Sequence, residues 1–182
     1  MQRIPLTGER GAGRFALIDD DDFELVSRHN WYLLETTRAG RANGPYAQAS
    51  VWRDGHNTTI LMHCLIMGGK GIDHANGDGL DNQRVNLRAA TTSQNGANTR
   101  KYSRNNRGSA PSSQYKGVKW QKRKPPRRGG WRAMIGVDGK QRYLGSFATE
   151  EAAARAYDAA AIEQWGEFAY VNFPETGRAV QR

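Results

Sequence analysis

A single cysteine, Cys64, stands in 182 residues. That excludes an internal disulfide framework and every zinc site built on cysteine pairs. A reducing cytoplasm is the compartment to expect. Long apolar runs are missing as well. The longest, about Ile60–Met67, contains His63 and falls far short of the ~18 or more residues of a membrane-spanning helix. The opening residues, MQRIPLTGER, lack the apolar stretch of a secretory signal. Hydrophobic residues make up 37% and the mean hydropathy is −0.80, so the core has to be modest. Acidic residues are absent from one long window: none lies between Asp81 and Asp138, where 14 lysines and arginines stand.

The charge is divided unevenly. Residues 1–100 carry 11 basic and 11 acidic side chains, and residues 101–182 carry 16 and 7. The whole net charge of +9 therefore belongs to the second part. The basic window is interleaved with Tyr102, Tyr115, Trp120 and Trp131, a combination that suits a polyanion surface, of which nucleic acid is the commonest. Between the two halves, RNNRGSAPSS at 104–113 has no apolar period and reads as a linker.

The N-terminal region reads as mixed α and β with short elements. Strands are expected at Phe15–Ile18, Trp31–Leu34 and Tyr46–Trp52, the last two separated by the Gly-rich TTRAGRANGP. Asp19–Asp22 offer helix N-caps. Ile60–Met67 reads as a short helix ended by Gly68-Gly69, with His63 as a packed or capping residue on it. The C-terminal region is more regular: strands at Tyr115–Trp120, Trp131–Val137 and Gln141–Phe147, a tight turn at Asp138-Gly139, and a helix capped by Thr149 and ended by Gly166. Its small face (Ala152, Ala153, Ala156, Ala159, Ala160) lets it lie close on a three-stranded sheet.

The stretch Gly71–Asn98 carries the chemistry. It reads as a strand ending in Asp73-His74, a Gly- and Asn-rich loop, a strand Leu87–Ala90 and a helix capped by Thr92 with Asn95 in its first turn. Asp73 and Asn95 offer hard oxygens that suit Mg²⁺ or Mn²⁺ with waters in the remaining positions. His74 alternates away from Asp73 along the strand and has the proton affinity of a general base near neutral pH. These are the parts that phosphodiester hydrolysis needs: a base for the attacking water, a cation for the developing charge and basic side chains for a polyanionic substrate.

This arrangement closely resembles the HNH endonuclease family, in the phage and homing-endonuclease branch whose motif ends in Asn. The residues that carry the resemblance are Asp73-His74, Asn76-Gly77-Asp78, Asp81-Asn82, Asn86-Leu87-Arg88 and Asn95. It implies a ββα-metal site in which His74 is the general base and Asp73 and Asn95 bind one divalent cation. Asn86 would hydrogen-bond across the loop and hold His74 in register. Arg88 is counted with the DNA contacts. Some members carry a structural zinc on paired cysteines, which this chain lacks, so no zinc is expected.

Residues Gln114–Pro174 are similar to the DNA-binding domain of plant ethylene-response factors. Tyr115-Lys116-Gly117-Val118, Trp131-Arg132-Ala133, Tyr143-Leu144-Gly145-Ser146-Phe147, Glu151-Ala152-Ala153, Ala156-Tyr157-Asp158 and Asn172-Phe173-Pro174 carry that resemblance. It implies a sheet laid in the major groove with the helix on its other face. The expected DNA set is Lys116, Gly117, Lys119, Gln121, Arg132, Gln141 and Tyr143, with Met134 and Gly136 on the same face. Val118, Trp120, Ala133, Ile135 and Leu144 form the helix-facing core. The inserted KRKPPRR at 122–128 brings Arg127 and Arg128 to phosphate. This chain departs from the plant pattern at Lys119, Gln121, Met134, Gly136 and Tyr143, so base preference does not carry over.

The sequence therefore predicts an α+β chain: an HNH nuclease module at 1–103 with its motif core at 60–100, the linker at 104–113, the DNA-binding module at 114–174 and a tail at 175–182. The expected activity is Mg²⁺- or Mn²⁺-dependent cleavage of double-stranded DNA, as a nick or a double-strand break, with a monomer favoured and no membrane partner. The resemblance implies a phage or mobile-element origin and a bacterial cytoplasm as the site of action. The rival is a DNA-binding regulator with an inactive nuclease module.

Overall fold

The structure is a computed structural model that describes residues 1–38, 41–100, 110–122 and 129–174, with backbone alone at 36–38 and 41–43. The chain clusters into two units, Met1–Thr91 and Thr92–Arg182. Both are built of α and β elements with small antiparallel sheets. No helix is long and apolar enough to cross a membrane.

In the first unit, β1 (Gln2–Pro5) pairs antiparallel with β2 (Phe15–Ile18), and Ile4, Ala16 and Ile18 face inward from the pair. Helix α1 (Phe23–Ser27) follows. A three-stranded sheet runs β3 (Tyr32–Arg38), β4 (Arg41–Arg53), β5 (His56–Leu61), each antiparallel to its neighbour. Helix α2 (Met62–Ile66) closes that sheet's last strand, and β6 (Ile72–His74) pairs with β7 (Leu87–Ala89). Trp31 anchors the core, buried to 1% exposure, and its indole N–H donates to the Val26 carbonyl at 2.8 Å. Burying so large a ring removes its whole apolar area from water while the one polar atom stays paired.

The sequence reading needs correction at three places here. Strand pairing runs on into the Gly-rich stretch expected to separate the two strands: Thr36 pairs with Asn43, Thr37 with Ala42 and Arg38 with Arg41, and residues 39–40 lie outside the described residues. The ladder satisfies backbone groups whatever the side chains, and Thr36 and Thr37 are good strand formers. The expected Ile60–Met67 helix starts later, at Met62, because Thr58–Leu61 extend β5 against Gln48–Val51. Asp19 and Asp22 make no side-chain cap. Asp19 accepts the Arg84 backbone N–H at 2.8 Å, and buried Asp22 accepts the Arg84 guanidinium at 2.6 and 3.0 Å. The aspartates thus tie the N-terminal turn to the far end of the motif loop.

In the second unit, α3 (Thr92–Asn98) precedes a sheet ordered β10–β9–β8, with β8 at Val118–Gln121, β9 at Gly130–Val137 and β10 at Lys140–Phe147. Helix α4 (Glu150–Trp165) packs on one face through Ala153, Ala154, Tyr157, Ala160 and Ala161, which meet Val118, Ala133 and Ile135. Small residues bring helix and sheet close enough for Tyr157 to seat on Gly117. A Cβ at Gly117 would overlap that ring, and its φ of 76° already favours glycine. This is also why β8 begins at Val118 and not at Tyr115. Thr149 caps α4 by accepting from Ala152 N–H at 3.2 Å, and Gly166 ends it at φ 54°. Asp138 and Gly139 turn the β9–β10 hairpin at φ 50° and 75°. Trp120 departs from its expected core role. It is 40% exposed on edge strand β8 and stands edge-on to Trp131, with ring centroids 5.0 Å apart. The linker residues 104–109, Arg127 and Arg128, and the tail 175–182 lie outside the described residues.

Candidate active site

The two-residue step Asp73-His74 ends β6, a strand so short that only its register against β7 fixes it. Ile72 pairs with Ala89, Asp73 with Arg88 and His74 with Leu87. The intervening loop is fastened at several points. Asn86 Oδ1 accepts from Asn76 N–H at 2.9 Å and its Nδ2 donates to the Asp81 carbonyl at 2.7 Å. Ala75 N–H donates to the Asn86 carbonyl at 2.8 Å. The Asn76 and Asp78 side chains accept from Asp78 and Leu80 N–H, the Asx pattern that makes these residues turn formers. The loop is also stitched to β2, with Leu17 N–H donating to Leu80 O and Asn82 N–H to Leu17 O, both at 2.8 Å. Gly79 is obligatory for close approach, since a Cβ there would overlap the Pro45 carbonyl and the Tyr46 ring.

Both members of the pair are buried, Asp73 to 4% and His74 to 5% exposure. The Asp73 carboxylate accepts from the Arg88 guanidinium at 2.8 and 3.0 Å. Arg88 was expected among DNA contacts; as placed, its charge neutralises Asp73 across the ladder. His74 Nε2 lies 3.4 Å from Asn82 Oδ1. Burial lowers the proton affinity of His74, against the opposing pull of the Asn82 bond and of Asp73, Asp78 and Asp81. The result is a ring that stays neutral and able to accept a proton at physiological pH.

Two aromatic side chains complete the surroundings. His63, from α2, stands edge-on to His74 with centroids 4.7 Å apart. The Tyr46 ring lies 5.6 Å from His63 and 5.8 Å from His74. Burial, with the nearby His74, pushes His63 down to about 4, and its Nδ1 has no hydrogen-bond partner among the described residues. Burial, together with Asp73, raises the Tyr46 phenol. Sequence reasoning missed Tyr46 entirely. It carries no motif signal, and only the β4 register brings it here. Asn82 was within reach of the reading, because it sits inside the spaced motif beside Asp81.

Asn95 lies on α3, exposed, and belongs to the second unit. Asp73 offers hard carboxylate oxygens, of which Oδ2 is paired with Arg88, and among the described residues no group of three or more His, Cys, Asp or Glu gathers that could hold a metal. An ion held there would keep water or phosphate oxygens in most of its shell, as Mg²⁺ and Mn²⁺ do.

The expected DNA-facing residues divide into two groups. Lys119, Arg132, Gln141 and Tyr143, with part-buried Gln121, belong to the sheet face away from α4. The register joins them: Lys119 with Arg132, and Tyr143 with Met134. The Arg132 guanidinium stacks 4.6 Å over the Tyr143 ring, whose hydroxyl meets the Ser146 hydroxyl at 2.8 Å. Gly117 and Lys116 are elsewhere. Gly117 is under the Tyr157 ring on the helix side. The Lys116 ammonium donates to the Ala97 and Thr99 carbonyls, both at 2.7 Å, and burial pulls it down to about 8.

Comparison with known proteins finds relatives of two kinds. The chain is 30% identical over 168 residues to an uncharacterized HNH endonuclease of Acanthamoeba polyphaga mimivirus, covering 90% of this chain and 77% of that protein. A shorter stretch of 46 residues, 25% of this chain, is 52% identical to an AP2-like ethylene-responsive transcription factor of Arabidopsis thaliana. Over 62 residues, 34% of this chain, the identity to APETALA2-like protein 2 of Oryza sativa subsp. indica is also 52%. These matches span only 11% and 13% of the two plant proteins. No family model and no solved structure matches.

Proposed function

Because the chain belongs to the HNH endonuclease family, we propose that it hydrolyses a phosphodiester of double-stranded DNA with the help of Mg²⁺ or Mn²⁺. The observation that carries this reading is the buried Asp73–His74 step, held by a loop that Asn86 bonds from both ends of its side chain. His74, neutral in its buried setting, takes the proton of the attacking water. Asp73 and Asn95 would be the ion's protein ligands, both assigned from the motif. A bound ion there supplies positive charge to the phosphate and the departing 3′ oxygen. Asn86 keeps the loop closed so that the end of β6 does not fray. The ββα-metal element that the family resemblance implies would take its two strands from β6 and β7.

The part similar to plant AP2-like proteins supplies duplex affinity and some site preference. Lys119, Gln121, Arg132, Gln141 and Tyr143 share one sheet face for the major groove, and Arg127 and Arg128 grip phosphate. The module limits proposed are 1–103, a linker at 104–113 and 114–174. A monomer with one such site nicks, and a double-strand break needs a second cut.

Purified chain incubated with supercoiled plasmid and Mg²⁺ or Mn²⁺ should give nicked or linear product. His74→Ala should abolish it while leaving DNA binding in EDTA nearly intact. Tight DNA binding with no cleavage under any divalent ion would replace the nuclease reading with that of a DNA-binding regulator.

A further inference from the structure

Helix α3 is poor material for a helix. Its seven residues, TSQNGAN, include Ser, two Asn and a Gly, all weak formers. Isolated helices below ~12–15 residues are marginal even with better sequences. It has no acidic first turn and no basic last turn of its own. Something outside must hold it, and the partners come from the three-stranded module of the same unit. Trp165 Nε1 donates to the Ser93 hydroxyl at 3.3 Å. Tyr170 N–H donates to the Ala97 carbonyl at 3.1 Å. Lys116 Nζ donates to Ala97 and Thr99 carbonyls at 2.7 Å each, and lies 5.6 Å from the Tyr170 ring centre. The last carbonyls of a helix lack intrahelical donors and carry its negative end, so a buried ammonium there satisfies both. Ala97 and Asn98 are buried, whereas Asn95, between the Ser93 and Ala97 anchors, is exposed.

We propose that Lys116 is a positioning residue for Asn95: the DNA-binding module grips both ends of α3 and so sets the amide that serves the divalent ion. This rests on the nuclease reading with Asn95 as a ligand.

The test uses the full chain and three readouts: Mn²⁺ binding by electron paramagnetic resonance, cleavage against Mg²⁺ concentration, and DNA affinity in EDTA. Lys116→Met should weaken Mn²⁺ binding and raise the Mg²⁺ requirement by about 10–100-fold, the usual cost of losing a partner of a metal ligand. DNA affinity and its salt slope should not change. Lys116→Arg should recover most of the effect, since a guanidinium also donates to two carbonyls. Trp165→Phe, which removes the donor to Ser93 and trims the ring that packs on the α4 core, should shift the metal readouts in the same direction by less. It decides the matter if Lys116→Met fails to fold. Loss of DNA affinity in Lys116→Met with metal binding unchanged would make Lys116 a phosphate contact and overturn the proposal. So would variants indistinguishable from a parent chain that binds Mn²⁺ and cuts. A parent chain that neither binds Mn²⁺ nor cuts would instead refute the nuclease reading beneath it.

Discussion

Asn86→Ala probes the loop that the site depends on. The side chain is buried and makes two hydrogen bonds, to Asn76 N–H at 2.9 Å and to the Asp81 carbonyl at 2.7 Å. The two losses are unequal. Asn76 is exposed, so water recovers much of its bond, leaving about 1 kcal/mol. Asp81 is half-buried, and a carbonyl left unpaired beside the new void costs about 1–2 kcal/mol. The sum, about 2–3 kcal/mol, is a large share of the ~5–15 kcal/mol that holds a typical domain together. Urea unfolding of the two chains measures it. Cleavage should fall with it, because the Asn76 N–H that the side chain holds lies two residues from His74. DNA binding in EDTA should hold, since the loop carries little of the positive charge. Asn86→Asp is the sharper control. It keeps the acceptor for Asn76 but sets a carboxylate against the Asp81 carbonyl, and should rescue neither stability nor cutting. A loss below about 1 kcal/mol, or full cleavage in the Ala variant, would show that the clamp does not hold the loop.

The remaining expectations are shorter. Burial and His74 lower His63 from 6.5 to about 4, so between those values the unfolded chain takes up a proton that the folded chain refuses. Stability should therefore be full above pH 6.5 and fall by about 3 kcal/mol on acidification to pH 4, a slope that His63→Leu should flatten; an unchanged slope in that variant refutes the buried neutral ring. Gly117→Ala should cost several kcal/mol, about 1–2 of it from the positive φ alone and the rest from overlap with Tyr157. A melting curve matching the parent would return Gly117 to the DNA face. Thr149→Ala removes one N-cap bond and should cost about 1 kcal/mol by urea titration. No measurable change would mean that α4 is held by packing alone.

What could be read from the sequence followed from how local each signal is. Asp138-Gly139, Thr149 and Gly166 act within a turn, and the structure places a turn, a cap and a stop at those residues. Alternation along β9 likewise separates the face of Ala133 and Ile135 from that of Arg132 and Met134. The motif from Asp73 to Asn86 was legible because its spacing is set by a single short loop. What the sequence hid was non-local. Nothing adjacent to Tyr46 announces that the β4 register brings it to His74. Nothing near Asp22 announces Arg84, 62 residues on. Short apolar runs such as Ile60–Met67 suit strand and helix alike, and the pairing with Gln48–Val51 decides.

Charge misled in an instructive way. A lysine in a basic window is read as a phosphate contact, because the window holds 14 lysines and arginines and no acidic residue. Yet a cation's position is set by the acceptors that fold around it, and Lys116 is drawn to two carbonyls at the end of α3. Arg88 is drawn to Asp73 in the same manner. Each of these cations exchanges solvent for an acceptor of the protein, Asp73 being buried and the Ala97 carbonyl belonging to a buried residue. Helix α3 is too short and too polar to manage its own carbonyl end, so it needs such a partner. Removing residues 114–182 would take away Lys116, Trp165 and Tyr170 together. The helix bearing Asn95 would then lose fastenings at both its ends, Ser93 at one and the Ala97 and Thr99 carbonyls at the other.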